Sequence, residues 1–340
     1  MTPPTITRPA ATLSELLDRF AGLRAVVVGD VMLDEYLVGE VTRVSPEAPV
    51  PVVALRERTR KPGGAANVAL NVASLGASVA LVGLVADDEA GGQLREALRR
   101  EGIADTHLVT TAHRPTTRKA RVISQGQHLL RVDSEDSAAS RADESDAVAA
   151  AVLGLIGGGE APDVVIFEDY DKGTLDAASI ARIVAAARGR GIRTVVDPKA
   201  RNFFAYRGVD LFKPNLKEVR EALPQMRVDA ADVPSLARTH AALVERLAHG
   251  TSLITLGAAG AFVAEGASTR LERPRPREIV DVCGAGDAVV ATSALALAAG
   301  ASARQVLELA NLAGGLACEW VGVRPVGMGA LREGVVRDPA

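Results

Sequence analysis

Two hydrophobic rhythms alternate along this chain. Leu13, Leu16, Leu17 and Phe20 recur at helical spacing, and Thr12 with Glu15 has the pattern of a capping box, which predicts an amphipathic helix over Thr12 to Leu23. The next run, "RAVVVGD" (Arg24 to Asp30), is apolar almost throughout. It predicts a parallel strand buried on both faces, with Asp30 at its ligand-facing end. The alternation then repeats. Helices are predicted over Gly63 to Gly76, Gly91 to Gly102, Glu144 to Ile156 and Leu175 to Ala187, with two long apolar helices over Ala285 to Ala299 and Ala303 to Val321. Strands are predicted at "SVALVGLVADD", "DVVIFED", "IRTVVD", "LFKPN" and "SLITL", with one helix between the last two and a hairpin through Gly260 after them. Such alternation builds a mostly parallel sheet covered on both faces.

Two stretches break the rhythm. Val38 to Arg60 mixes β-branched residues with charges and with Pro46, Pro49 and Pro51, which suits edge strands. Thr116 to Asp133 reads as two strands around a turn at Gln125-Gly126. Together they predict a small β element, discontinuous in sequence (about 36–60 and 116–133), placed as a lid on one α/β domain spanning residues 1–340. The acid-rich stretch Asp133 to Asp146 reads as a solvated loop.

Composition narrows the function. The chain has 340 residues, a net charge of -3 and 3% aromatics, which leaves neither the basic footprint nor the stacking platforms of a nucleic-acid binder. Cys283 and Cys318 lack disulfide-framework and zinc spacing. The first twenty residues lack a signal-peptide pattern, and no apolar run predicts a membrane span, so a cytoplasmic protein is expected. His107, His113, His128, His240 and His249 are expected at the surface. P-loop, dinucleotide and serine-hydrolase motifs are absent.

The chemistry concentrates in "DVCGAGDAVV", Asp281 to Val290. Gly284, Ala285 and Gly286 open a helix whose first N–H groups attract anions, and the glycines allow a phosphate close to the backbone. Asp287 in that first turn suits a base taking a proton from an attacking hydroxyl, or else a plain helix cap. Polar residues also follow several predicted strands: Asp30 and Asp34, Glu168, Asp169 and Lys172, Asp197 and Lys199, Lys213, Asn215 and Glu218. Gly63, Gly64 and Asn67 open another helix. Strand ends in an open α/β sheet share one crevice, so this repetition points to a polyhydroxylated ligand beside a phosphorylated one.

"DVCGAGDAVV" resembles the C-terminal signature of the ribokinase-like (PfkB) sugar kinases, and "GGAANVALNVASLG" resembles their N-terminal signature. "VVGDVMLDEYLVGEVTRVSPEAPVPVV", "RPTTRKARVISQGQHLLRVD" and "DYDKG" resemble the members of that family that act on D-glycero-β-D-manno-heptose 7-phosphate, over Leu23 to Val326. The resemblance implies a three-layer α/β/α sandwich with a mostly parallel sheet and a small β-sheet lid. It implies an ATP- and Mg²⁺-dependent kinase making the 1,7-bisphosphate, a precursor of ADP-heptose and lipopolysaccharide. Asp287 is implied as the base, with the N–H groups of Gly284, Ala285 and Gly286 as an anion hole. Asn215 and Glu218 would organise Mg²⁺ through water, Lys199 and Lys213 would contact the triphosphate, and Thr255, Gly257, Gly260 and Asn311 would hold the adenosine. Asp30, Asp34, Gly63, Gly64, Asn67, Asp169 and Lys172 would hold the sugar, and Arg121, with Arg43, Arg118 and Lys119, its phosphate. Asp281 and the Cys283 carbonyl would hold a monovalent cation such as K⁺. A homodimer through the lid and a separate nucleotidyltransferase are further implications.

Three residues depart from the pattern: Ala288 follows the base where Thr or Ser is common, Cys283 precedes the motif glycine where Thr is frequent, and Glu168 stands where Ser is frequent. The first two leave the base and glycines in place, and Glu168 leaves other acceptors open, such as a ketohexose phosphate or a pentose. A non-catalytic sugar-phosphate sensor is the reading from another class, and the retained Asp287, glycines and N-x-x-E weigh against it.

Overall fold

A computed structural model describes residues 11–274 and 277–337; the start of the N-terminal stretch read for a leader lies outside them. The strands are β1 (Arg24–Gly29), β2 (Val31–Val44), β3 (Pro51–Gly64), β4 (Ser78–Ala86), β5 (Leu108–Thr111), β6 (Arg118–Ser124), β7 (Gln127–Ser134), β8 (Val164–Glu168), β9 (Arg193–Asp197), β10 (Leu211–Phe212), β11 (Thr251–Thr255), β12 (Ala261–Glu265) and β13 (Ser268–Glu272). The helices are α1 (Leu13–Arg19), α2 (Ala65–Ser74), α3 (Glu89–Arg100), α4 (Ala142–Gly157), α5 (Ala177–Gly189), α6 (Leu216–Ala222), α7 (Val233–Leu247), α8 (Ala285–Ala298), α9 (Ala303–Ala317) and α10 (Met328–Arg337).

Nine strands form one sheet in the order β13-β12-β11-β10-β9-β8-β1-β4-β5. The pairs from β11 to β5 are parallel, and β12 and β13 add an antiparallel edge. The side-chain period of two sorts each strand between two cores. Val27 of β1 and Ile166 of β8 join α1, α2, α3, α8, α9 and α10 on one face. Val26, Val28 and Phe167 join α4, α5, α6 and α7 on the other. Both faces are therefore apolar, which is why the strands read as continuous hydrophobic runs.

The second sheet has the order β3-β2-β6-β7. Its β6–β7 turn has Gln125 at φ 49° and Gly126 at φ 76°, the paired positive angles of a tight hairpin. The lid strands start earlier than the sequence pattern suggests. β2 leaves β1 directly after Asp30, and Gly63 and Gly64 close β3 opposite Met32 and Val31, so the following helix begins only at Ala65.

Other expectations need correction. Two helices, α6 and α7, lie between β10 and β11 where one is expected, because Asp232 caps a new start with Pro234 in its first turn. β5, β13 and α10 are too short or too polar to announce themselves. His240 and His249 are not at the surface: they are 5% and 4% exposed and both hydrogen-bond the Ser252 hydroxyl, at 2.8 and 2.6 Å. Among the described residues no helix is long and apolar enough to cross a membrane.

Candidate active site

The head of α8 is built by Gly284, its N-cap, at φ +79°. A side chain there would press on the Asn67 amide, 3.3 Å from the position of a Cβ. The Ala285 N–H closes a turn onto the Val282 carbonyl at 3.3 Å, so the anion-hole expectation for it gives way. The N–H groups of Gly286 and Asp287, which follow in the first turn, precede any intrahelical acceptor. Asp287 does not cap the helix. Its carboxylate turns away, with Oδ2 accepting from Asn67 Nδ2 at 2.5 Å and Oδ1 from the Tyr170 hydroxyl at 2.8 Å. Burial pushes its pKa up to about 6; Asp197 and Asp34 add to this, while the Asn67 and Tyr170 hydrogen bonds oppose it.

The ends of β8, β9 and β10 lie beside it. Lys213 is 2% exposed with its ammonium on Asp197 Oδ2 at 2.7 Å, so it neutralises the floor of the crevice instead of reaching for phosphate. Glu168 is 1% exposed, and burial, with Asp197 and Asp287 nearby, holds its pKa well above the usual carboxylate range. Asn215 and Glu218 form a reciprocal capping box at the start of α6. The other oxygen of Glu218 pairs with Lys199, whose pKa is raised by Asp197 and Glu218 against the opposing effect of burial.

Among the described residues no three His, Cys, Asp or Glu side chains converge as a metal cage. Glu168 Oε2 and Asp197 Oδ1 are nevertheless buried oxygens without a hydrogen-bond partner among the described residues. A sparse oxygen set of this kind fits Mg²⁺, which keeps waters and takes substrate phosphates as ligands.

On the lid, alternation separates the charges. Asp34, Tyr36, Lys119 and Arg121 share one face of paired strands, and Glu35, Arg58, Arg60 and Arg118 share the other. Arg118 is thus no candidate for a ligand in the crevice, because it joins Arg58 and Arg60 around the fully buried Glu35 carboxylate. Arg121 ion-pairs with Asp34, and Gly63 lets that carboxylate lie against the backbone, since a Cβ there would stand 2.3 Å from Asp34 Oδ2. Gly64, at φ +57°, approaches the Asp30 carbonyl as closely. Lys119 has no ion-pair partner among the described residues; its ammonium lies 5.4 Å from the centre of the Tyr170 ring. Arg43 is exposed near the far end of β2.

Three sugar-binding expectations change. Asp30 is 2% exposed and its carboxylate accepts the N–H groups of Tyr170, Lys172 and Thr174, so it braces the loop after β8. Asp169 points beneath that loop to the Tyr206 hydroxyl and the Asn202 amide, at 2.7 and 3.0 Å. Burial raises its pKa to about 6. The Lys172 ammonium pairs with Glu135 at 2.8 Å, tying the loop after β7 to the loop after β8.

Asn215, Thr255 and Gly257 line a cavity of about 450 Å³ with Leu216, Lys217, Arg220, Glu221 and Leu256. Gly260 is outside this lining and serves the β11–β12 turn, where its φ is +98°. Asn311 is also outside it, donating to the Arg273 carbonyl at 3.0 Å. Asp281 accepts from the N–H groups of Cys283 and Gly322 at 3.0 and 2.8 Å, lacing two loops together, and each of its oxygens keeps a further lone pair. Burial, then Asp281, pushes the Cys283 thiol up to about 11.

Sequence reasoning missed Tyr170, whose hydroxyl meets the buried carboxylate, and Tyr36, whose hydroxyl accepts from the Val323 N–H at 3.0 Å. With three tyrosines in the whole chain, their rarity was the available signal.

A buried carboxylate at a helix head, between a lid and a row of strand ends, belongs to a phosphotransferase acting on a sugar hydroxyl. The chain belongs to the PfkB family: the model described as pfkB family carbohydrate kinase matches residues 23–326. It is 42% identical over 323 residues to the bifunctional protein HldE of Azotobacter vinelandii, covering 95% of this chain and 65% of that protein. It is 44% identical over 305 residues to the bifunctional protein HldE of Caulobacter vibrioides, covering 89% and 62%. The chain therefore spans somewhat less than two thirds of these relatives. Its fold is that of phosphofructokinase-2 from Escherichia coli solved in complex with potassium (TM-score 0.76, 21% identity, 93% of this chain and 98% of that one). It is also that of Arabidopsis thaliana ribokinase complexed with ribose and ATP (TM-score 0.70, 19% identity, 92% and 98%). Family membership implies ATP and a divalent metal.

Proposed function

We propose that this sugar kinase phosphorylates the anomeric hydroxyl of D-glycero-β-D-manno-heptose 7-phosphate. The observation that carries the reaction is Asp287: a buried carboxylate in the first turn of α8 that caps nothing and is held from both sides by side chains. With a pKa of about 6 it is ionised at neutral pH yet close enough to that pH to take a proton. The Gly286 and Asp287 N–H groups would receive the transferring phosphoryl group. Lys199 and Glu218 would face the triphosphate and its Mg²⁺, which screens phosphate charge when bound; Asn215, Thr255 and Gly257 would border the nucleotide.

Asp34, Arg121 and Asn67 would orient the acceptor, with Lys119 as the cation for its remote phosphate. The choice of heptose is supported by the lid and loop sequences that resemble heptose-phosphate kinases and by the HldE relatives. The product would be the 1,7-bisphosphate, and a separate nucleotidyltransferase is expected later in the pathway. We further propose a cytoplasmic homodimer formed through the lid, where β7 is exposed along its whole length and presents Leu129, Leu130 and Val132. A monomeric mass by light scattering would refute it.

The test of function is an ADP-release assay with Mg-ATP, comparing the heptose 7-phosphate with fructose 6-phosphate, fructose 1-phosphate and ribose. Strong preference for the heptose phosphate is expected. Preference for another sugar would discard the acceptor, and turnover of none would discard the kinase reading.

A further inference from the structure

Tyr170 reaches the carboxylate that the kinase reading makes the base. Its hydroxyl donates to Asp287 Oδ1 at 2.8 Å, and Asn67 holds the other oxygen. A carboxylate base takes a hydroxyl proton through one of its two oxygens, and here each oxygen already accepts one hydrogen bond. The phenol offers the base what a sugar or a water offers, an O–H donor. Burial and the neighbouring Asp287 hold its pKa well above that of an ordinary tyrosine, so it stays a donor at neutral pH.

The ring's surroundings tie it to both substrate sides. Lys119 on the lid strand β6 and Lys199 beyond β9 each place an ammonium 5.4 Å from its centre. The backbone around it is pinned, because Asp30 accepts from the N–H groups of residues 170, 172 and 174 and Asp171 turns the chain at φ +57°. With the backbone held in this way, release of the base would come from rotation about the Tyr170 side-chain bonds and not from movement of the loop.

We propose that Tyr170 selects sugar over water: its hydroxyl covers Asp287 Oδ1 until a sugar hydroxyl displaces it. The inference rests on the kinase reading with Asp287 as base. The reaction suppressed is hydrolysis of ATP. In it the water oxygen bonds to the γ-phosphorus, the bond from that phosphorus to the ADP oxygen breaks, and Asp287 receives the water proton, giving ADP and inorganic phosphate. A sugar gripped at several hydroxyls has binding energy with which to rotate the ring away, and a single water has none.

The experiment measures ADP release from Mg-ATP without sugar, and KM and kcat with sugar, for the wild type, Tyr170→Phe, Tyr170→Leu and Tyr170→Phe/Asp287→Asn. Removing the hydroxyl should raise sugar-independent hydrolysis about tenfold or more and lower the sugar KM, since no hydrogen bond must be broken. The double variant should lose the extra hydrolysis. Tyr170→Leu gives the same readout if the Phe variant is poorly folded. Unchanged hydrolysis with a lower kcat at constant KM would overturn the inference and make Tyr170 a positioning residue for the base. Wild-type turnover of sugar, measured in parallel, separates the two failures. Its presence with unchanged hydrolysis in the variants sinks this inference alone; its absence for every sugar tested sinks the kinase reading.

Discussion

Replacing Asp287 by Asn should make the protein more stable and nearly inactive. The carboxylate is 5% exposed, and burial raises its pKa from an ordinary 3.8 to about 6. The folded state thus binds the proton more tightly than the unfolded chain, and ionising Asp287 costs the fold free energy. That cost is complete above about pH 6 and disappears below about pH 4. At about 1.4 kcal/mol per pKa unit the difference is about 3 kcal/mol, an upper figure for the gain from a neutral amide at pH 8. The amide also fits locally. Its oxygen still accepts from Tyr170, and its NH₂ would meet the Asn67 NH₂; but Asn67 Oδ1 is buried without a partner among the described residues, so a half-turn of the Asn67 amide restores the hydrogen bond. Turnover should fall by on the order of 10² or more with the general base gone. Urea unfolding at pH 8 and at pH 4.5, beside ADP release, reads both effects. A variant no more stable than the wild type at pH 8, or one with undiminished turnover, would refute the reasoning.

The same pKa sets an acid limb: kcat/KM of the wild type should fall as pH drops through about 6, and a profile flat to pH 5 would exclude Asp287 as the titrating base. His249 is buried and its pKa is lowered from 6.5 to about 4 by burial and then by His240, so the unfolded state takes up its proton first. Stability should therefore decline by up to about 3 kcal/mol as pH falls from 6.5 to 4, and urea titrations of His249→Gln should show a shallower decline. Lys119→Met should raise KM for a phosphorylated acceptor by about tenfold or more and leave KM for ATP unchanged; equal effects on both would place the ammonium elsewhere.

The order of apolar runs and amphipathic turns determined the layered sheet by itself. A strand covered by helices on both faces must be apolar at every position, as Val26, Val27 and Val28 are, and no local alternative competes with that burial. Glycines with demanding backbone angles, such as Gly284 and Gly64, also marked their turns in advance, because the constraint is local. The site was legible as a set of strand ends, but not as a set of roles. Asp30, Asp34 and Asp169 look alike in sequence. Asp30 meets three loop N–H groups and Asp169 meets Tyr206 and Asn202, so both became braces, while Asp34 pairs with Arg121 beside the glycines that close β3. Tyr170 joins Asp287 across 117 residues of chain. Which donor satisfies a buried carboxylate depends on groups brought together by distant segments, and that pairing is decided by the packed tertiary structure alone.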